Sequence, residues 1–364
     1  MNARKPEGTL KKGWTTGACA AAGAVAAFQA LHRGVFPDTA AIRLPGGQSP
    51  SFPLSRADHG DGWAEAGVIK DAGDDPDVTH GAEIITRVTT AATGQGLRFL
   101  AGAGVGTVTL PGLPLEVGEA AINPGPRRII EDNLAPLARE FDVSLDLDIT
   151  VSIPGGEALA AKTMNGRLGI IGGLSVLGTT GIVIPYSCAS WIHSIHRGID
   201  VARATGLNHI AAATGSTSEA AVKQMLELPE TALIDMGDFA GGLLKYLRSH
   251  PVPHLTLAGG FGKLSKLAQG HMDLHSSRSR VDMADLAESA RHAGAEARIA
   301  ERIAGANTAM EALTISTDAG VALAETMAKR ARASAMAVLA GDTEVDVMIF
   351  DRTGNLAGQA GTRK

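Results

Sequence analysis

Asn208-His209-Ile210-Ala211-Ala212-Ala213 is a short apolar run that breaks on Thr214-Gly215-Ser216, and its reading decides the fold of the C-terminal half. Small and β-branched residues bounded by a polar glycine turn read as a buried strand feeding a helix. The pattern recurs. A helix over 218–228 leads to a strand over 231–235 and the turn Met236-Gly237-Asp238. A helix over 239–248 leads to a strand over 254–258 and to Gly259, Gly260 and Gly262. Three consecutive strand–loop–helix units predict a parallel, doubly wound, Rossmann-like α/β sheet. Its loops then share one carboxyl edge, where glycine amides and helix starts hold a ligand's carboxylate or hydroxyls. Asp235, closing the second strand, is placed to accept from a ribose. Helical segments over 190–204, 282–304 and 318–339, a closing strand over 345–350 and a turn at Thr353-Gly354-Asn355 complete this half.

Upstream the rhythm differs. Strand character appears over 41–44, 63–69, 83–90 and 145–153, mixed with two helices. One is the Ala-rich run over 18–33; the other follows Asn123-Pro124 and carries Ile129, Ile130, Leu134, Leu137 and Phe141 at helical spacing, with Pro136 a candidate kink. That mixture predicts an α+β domain over 1–190, joined to the α/β domain over 191–364.

The chain has 364 residues, of which 45 are glycine, with 45% apolar and only 4% aromatic residues. Many glycines beside an ordinary apolar share exclude disorder and predict a tightly turned fold whose core is Ala, Val, Leu and Ile. The formal charge of −5 offers no basic field for nucleic acid, and Arg278 to Arg280 is too short a basic stretch to supply one. Cys19 and Cys188 cannot build a disulfide framework, which favours a reducing, cytoplasmic setting. Lys11-Lys12 before the alanine run imitates a signal peptide, but Gln29 and the His32-Arg33-Gly34 ending read better as a helix closed by Gly34. No apolar stretch reaches membrane-spanning length, so no membrane partner is expected.

Four motifs in the first half carry chemistry. Lys70-Asp71-Ala72-Gly73-Asp74-Asp75-Pro76-Asp77-Val78-Thr79-His80-Gly81 gathers four aspartates and a histidine. It reads as an acid/base or oxygen-rich metal cluster, or as a solvated turn whose aspartates cap backbone amides. Gly102-Ala103-Gly104-Val105-Gly106 lacks the spacing of a phosphate or dinucleotide loop and reads equally as a hairpin turn. Arg127 and Arg128 follow Asn123-Pro124 at a helix start, where guanidinium forks suit carboxylate or phosphate, although an ordinary exposed helix turn explains them as well. The glycine-rich, apolar segment 165–185 reads as a buried connection between the domains, where ligands commonly sit, or as a structural hinge. The histidines form no zinc-hydrolase array.

Taken in order, these segments resemble one family. Gly13-Trp14-Thr15-Thr16-Gly17-Ala18-Cys19, Lys70 to Gly81, Gly104-Val105-Gly106 with Leu110-Pro111-Gly112-Leu113, Ala121-Ile122-Asn123-Pro124 to Arg127, Asn165-Gly166-Arg167-Leu168-Gly169-Ile170 and Leu177-Gly178-Thr179-Thr180-Gly181-Ile182 look like the CbiD family of cobalamin biosynthesis, the cobalt-precorrin-5B C-1 methyltransferases. The likeness continues more loosely into Gly260-Phe261-Gly262-Lys263-Leu264 and His275-Ser276. Trp14 departs from the family's usual tyrosine, and Thr214 to Glu219 lacks the expected asparagine and second glycine.

The resemblance implies methyl transfer from S-adenosylmethionine to C-1 of a polycarboxylated, ring-contracted tetrapyrrole, cobalt-bound or metal-free. It implies cofactor contacts at Thr214, Gly215, Ser216, Asp235, Gly237, Asp238, Gly259, Gly260, Gly262 and Lys263. It makes Thr15, Thr16, Lys70, Asn123, Arg127, Arg128, Arg167, Thr179 and Thr180 substrate-binding candidates, and Asp71, Asp74, Asp75 and His80 candidates for proton removal or substrate orientation. No metal ligand set is implied, and a homo-oligomer is compatible. Two other classes stay open: a metal-dependent hydrolase built on the Asp71–His80 loop, and a non-catalytic tetrapyrrole-binding protein.

Overall fold

The alanine run forms helix α1 (Thr16–Arg33), and nearly every residue from Thr16 to Ala30 is buried. Thr15 caps it, its hydroxyl accepting from the Ala18 amide at 3.2 Å, and Gly34 ends it in the left-handed region at φ 73°. Small side chains let this helix lie directly against a sheet. A Cβ at Gly23 would come within 2.9 Å of the Ala66 carbonyl, and the Thr86 hydroxyl donates to the Ala20 carbonyl at 2.9 Å. Burial pushes the Cys19 thiol up to about 12.

The chain is described here by a computed structural model covering residues 8–362. Its mixed α/β content is arranged in several sheets, and it divides into two units, Met1–Ser187 and Cys188–Lys364. In the first, strands β1 (Arg56–Gly60), β2 (Trp63–Ile69), β3 (Glu83–Thr90), β4 (Leu97–Ala101) and β5 (Leu147–Ser152) form a sheet in the order β1-β2-β3-β5-β4. All its pairings are antiparallel except β4 with β5. Helix α2 (Pro124–Phe141) runs on through Pro136, and its Phe141 stacks on Phe28 of α1 with ring centroids 5.8 Å apart. The strand expected over 41–44 is displaced: Thr39–Ala41 pairs with Ser51–Pro53, and beyond it the Ile42 and Leu44 amides donate to the Pro50 and Gln48 carbonyls before a turn at 45–47.

Two glycine-rich segments are packed within the first unit. Residues 165–185 belong to the first unit, pairing Ile170 with Val108 and Ile182 with Trp14. Gly104 serves backbone-to-backbone packing, for added Cβ atoms at Gly156 and Gly173 would lie 2.2 and 2.3 Å from its carbonyl oxygen.

The second unit starts with helix α3 (Cys188–Ala204) and strand β6 (His209–Ala213). Helix α4 (Ser216–Leu226), strand β7 (Leu233–Asp235), helix α5 (Ala240–Ser249), strand β8 (His254–Gly260) and helix α6 (Phe261–Ala268) follow. Four helices, α7 (Met283–His292), α8 (Ala297–Ala304), α9 (Ala309–Asp318) and α10 (Leu323–Leu339), precede strands β9 (Glu344–Phe350) and β10 (Leu356–Ala360). Sheet order is β7-β6-β8-β9-β10, parallel except for β10. Val222 of α4 packs on Ala211, Ala213, Ala258 and Met348, while Ile210, Leu255, Leu257, Val347 and Ile349 join the larger core with α5, α6 and α10. The helix expected over 282–304 is two helices broken at Ala293-Gly294, and the one expected from 318 starts at Leu323 after the separate α9. Among the described residues no helix is long and apolar enough to cross a membrane.

Candidate active site

The acidic segment begins where β2 ends. Lys70 and Gly81 close it as a loop: the Lys70 amide donates to the Ala82 carbonyl at 2.9 Å and the Gly81 amide to the Lys70 carbonyl at 2.8 Å. The Lys70 side chain is 3% exposed, and its ammonium donates to Asp77 Oδ2 at 2.5 Å, Thr79 Oγ1 at 2.5 Å and Thr16 Oγ1 at 3.2 Å. Burial would raise the Asp77 carboxyl, but the Lys70 charge and hydrogen bonds from Lys70 and Thr79 hold it below its ordinary value.

The remaining acidic residues are stitched to neighbouring backbone. Asp71 accepts from Lys11 Nζ at 2.6 Å and from the Gly73 amide at 2.9 Å, and the Lys11 hydrogen bond is the first cause of its lowered pKa. Asp74 accepts from the Lys11 amide at 2.6 Å, and Asp75 accepts from the Tyr186 amide at 2.8 Å. His80 is exposed, and its Nδ1 accepts from the Ala72 amide at 3.1 Å. A neutral His80 ring therefore carries its proton on Nε2 and presents a donor. Asp71 and Asp75 are structural ties as well as acids, while Asp74 and His80 keep exposed surface. Among the described residues no three His, Cys, Asp or Glu side chains are grouped to hold a metal ion.

The helix starts of α1 and α2 converge beside this loop on residues 176–182. The Gly17 amide donates to the Leu177 carbonyl at 3.1 Å, Asn123 to Val176 at 3.0 Å, and Thr15 to Gly181 at 3.0 Å. A Cβ on Gly17 would lie 2.7 Å from Pro126, and one on Gly125 would lie 3.1 Å from Thr179 Cα. Thr179 and Thr180 are exposed, whereas Thr15 and Thr16 are buried. Arg127 turns its fork inward: it donates to the Ile122 carbonyl at 2.7 Å, Glu119 at 3.0 Å and the Ala120 carbonyl at 3.4 Å, over the Phe99 ring. Arg128 is exposed. Arg167 lies on the short 3-10 turn Asn165–Leu168, beside a buried Asn165 whose amide donates to the Gly173 carbonyl at 3.2 Å.

In the second unit, strands β6 and β8 are adjacent while the connections after them run to opposite sides of β6. This is a topological switch point of the parallel sheet. Gly215 and Gly260 are the N-caps of α4 and α6, with no side chain capping either helix, and an added Cβ at either would meet nothing within 4 Å. Lys263 joins the loops, donating to the Thr214 carbonyl at 2.7 Å and lying 3.1 Å from Asp238 Oδ1, which has no aligned hydrogen bond. Gly259 lies close to the Thr214 hydroxyl, 2.8 Å from a would-be Cβ. Gly237, at φ 52°, takes a conformation costly to other residues. Gly262 falls inside α6, and the carbonyl of Asp235 accepts from the Trp191 indole at 3.0 Å.

The CbiD family profile matches residues 3–185, and the CbiD C-terminal domain profile matches residues 273–361. A cobalt-precorrin-5B C(1)-methyltransferase of Paramagnetospirillum magneticum is 56% identical over 355 residues, 97% of this chain and 99% of its own length. A protein of the same name from Brucella canis is 55% identical, covering 98% of this chain and 97% of its own. The chain belongs to the CbiD family. A crystal structure of a cobalamin biosynthesis protein (cbiD) from Archaeoglobus fulgidus is 26% identical with a TM-score of 0.40, covering 75% of this chain and 84% of that one. The acidic loop, the paired helix starts, Arg167 and Thr179-Thr180 all lie inside the first CbiD match.

Sequence reasoning passed over Lys11, Asp77, Thr79 and Glu119, which hold Asp71, Lys70 and Arg127 in place. One signal was available: a lysine at the end of an apolar strand needs a buried anionic partner, and Asp77 is the aspartate of the loop within reach.

Proposed function

We propose that this CbiD-family chain methylates C-1 of a precorrin-5B-type tetrapyrrole, with S-adenosylmethionine as the donor. The observation that carries the methyltransferase reading is similarity to enzymes so named along 97% of the chain. The donor is assigned to the Rossmann-like second unit, because two uncapped helix starts meet there at the switch point. Amides at Gly215 and Gly260 would receive the donor's carboxylate or hydroxyls, and Asp235 would accept from the ribose. When bound, S-adenosylmethionine supplies a methyl group on a positively charged sulfur, so transfer to carbon leaves a neutral thioether. The chain's own work is then alignment, which can supply roughly 7–11 kcal/mol of a bimolecular barrier.

The macrocycle is assigned to the first unit. Arg128, exposed on the first turn of α2, suits a peripheral carboxylate. Thr179 and Thr180 offer hydroxyls there, and Asn123 and Arg167 lie on the same family motifs. Asp74 and His80 orient the ring, with His80 Nε2–H as donor. Asp71, Asp75 and Lys70 hold the loop that presents them. Arg127 acts from behind by fixing the α2 start.

The test is incubation with methyl-labelled S-adenosylmethionine and either cobalt-bound or metal-free precorrin-5, followed by mass and carbon-13 analysis. One label at C-1 with release of S-adenosylhomocysteine is expected. Pigment bound without any methyl transfer would replace this reading with that of a carrier.

A further inference from the structure

We propose that the indole of Trp191 is the platform on which the adenine ring of the donor stacks. The inference rests on the assignment of the donor to the edge of the second unit. Three observations lead to it. Trp191 is 46% exposed, although tryptophan is a residue the fold usually buries. Its ring is not loose: Nε1 donates to the Asp235 carbonyl at 3.0 Å, Phe239 tilts beside it at 6.4 Å, and Gly237 lies near its Cζ2, Cε2 and Nε1 atoms. A Cβ on Gly237 would come within 3.3 Å of Trp191 Cζ2, so loop and ring fit closely.

The placement follows from the order of the sheet. β6 supplies the glycine turn and β7 lies next to it at the sheet edge. Asp235 ends β7 about 20 residues after the turn, the spacing at which an acidic residue meets the ribose in sheets of this kind. A base attached to that ribose extends further along the same edge. Trp191 is anchored there to Asp235 itself. A fixed, half-exposed aromatic ring is what a purine requires, because stacking tolerates small shifts while burying one face of the base. The tilted Phe239 ring backs the indole and limits its rotation.

The experiment uses the full chain with S-adenosylhomocysteine and with adenosine, read by calorimetry and by tryptophan fluorescence. The chain has three tryptophans; Trp14 meets Phe52 edge-on and Trp63 lies under Arg87, both in the first unit. Both ligands are expected to quench the wild-type emission. Trp191→Ala should weaken both by about tenfold, the loss expected for one base–aromatic stack. Trp191→Phe should bind within about threefold of wild type, as expected when an aromatic face is kept, and should show no ligand-dependent quenching. Should the alanine variant not fold, the phenylalanine variant decides alone: quenching of wild-type size in Trp191→Phe overturns the proposal. Wild-type affinity in a folded Trp191→Ala overturns it too, and leaves the donor assignment standing. Absence of any heat with either ligand in the wild-type chain removes the donor assignment, and the stack with it.

Discussion

Lys70 Nζ lies 2.5 Å from Asp77 Oδ2, in a pair whose lysine is 3% exposed and whose aspartate is 23% exposed. The ammonium has Thr79 and Thr16 as further acceptors, so all three of its protons are used. Thr16 opens α1, and the pair thus fastens the acidic loop to the start of the central helix. Removing either partner is not symmetrical. Without Asp77 a cation is left in the interior; without Lys70 a partly exposed carboxylate can still reach water.

Asp77→Asn is therefore expected to destabilise the first unit by about 3 kcal/mol, and Lys70→Met by less. Urea unfolding of both variants checks the order, and equal losses would contradict it. The pH dependence has a definite sign. The Asp77 carboxyl is held below its ordinary 3.8, so its contribution is complete above that value and is lost as pH falls through the depressed one. Asp77→Asn should flatten this acid limb of the stability curve.

Arg127 and Arg128 are adjacent in sequence and opposite in use. Arg127 satisfies the carbonyls of Ile122 and Ala120 and pairs with Glu119, whose carboxyl is lowered by the Glu116 amide and then by Arg127. Arg127→Ala leaves those acceptors without their donor and should cost about 1–3 kcal/mol of stability. Arg127→Lys should not restore it, since an ammonium cannot reproduce the fork. Arg128→Ala should leave the melting temperature within about 1 °C, a surface change of small cost, and weaken tetrapyrrole binding. Thermal unfolding beside pigment titration separates the two; equal melting temperatures for both alanine variants would refute the division.

The two cysteines should differ in reactivity. Cys19 is wholly buried with its thiol pushed up to about 12, whereas Cys188 is half-buried at the start of α3. A thiol disulfide reagent at neutral pH should label Cys188 in the native chain, and Cys19 only in denaturant. Peptide mapping after labelling tests this. Fast native labelling of Cys19 would mean that α1 opens far more easily than its packing implies.

Strands with period-two or wholly apolar runs were legible in the sequence, and so were the glycine-bounded loops after β6 and β7. The 63–69 and 83–90 strands are found at those bounds because alternation and β-branching are local signals. Helix α6 was hidden because Gly259, Gly260 and Gly262 read as loop, although the helix starts immediately behind them. The site was legible as a set of motifs and not as a set of contacts. Lys11 reaches Asp71 across 60 positions, and the Tyr186 amide reaches Asp75 across 111. Nothing in local spacing encodes such partners. Arg127 shows the same limit: an arginine at a helix start looks identical whether its fork faces a ligand or its own main chain.

Lys263 offers the sharpest test of the second unit. Its ammonium bridges the loop after β6, through the Thr214 carbonyl, and the loop after β7, through Asp238. At 37% side-chain exposure it adds little to global stability, so Lys263→Met should cost less than about 1 kcal/mol in urea unfolding. Its effect on the loops should be larger, because Asp238 Oδ1 is buried with no aligned hydrogen bond and loses the ammonium that lies 3.1 Å away. The two loops would then separate, and S-adenosylhomocysteine should bind about tenfold more weakly, a loss of about 1.4 kcal/mol. Tetrapyrrole affinity, assigned to the first unit, should not follow. Calorimetry with each ligand on the same protein makes the comparison direct. Equal losses for pigment and nucleoside would show that Lys263 does not act on the donor loops alone, and unchanged nucleoside affinity would show that it does not act on them at all.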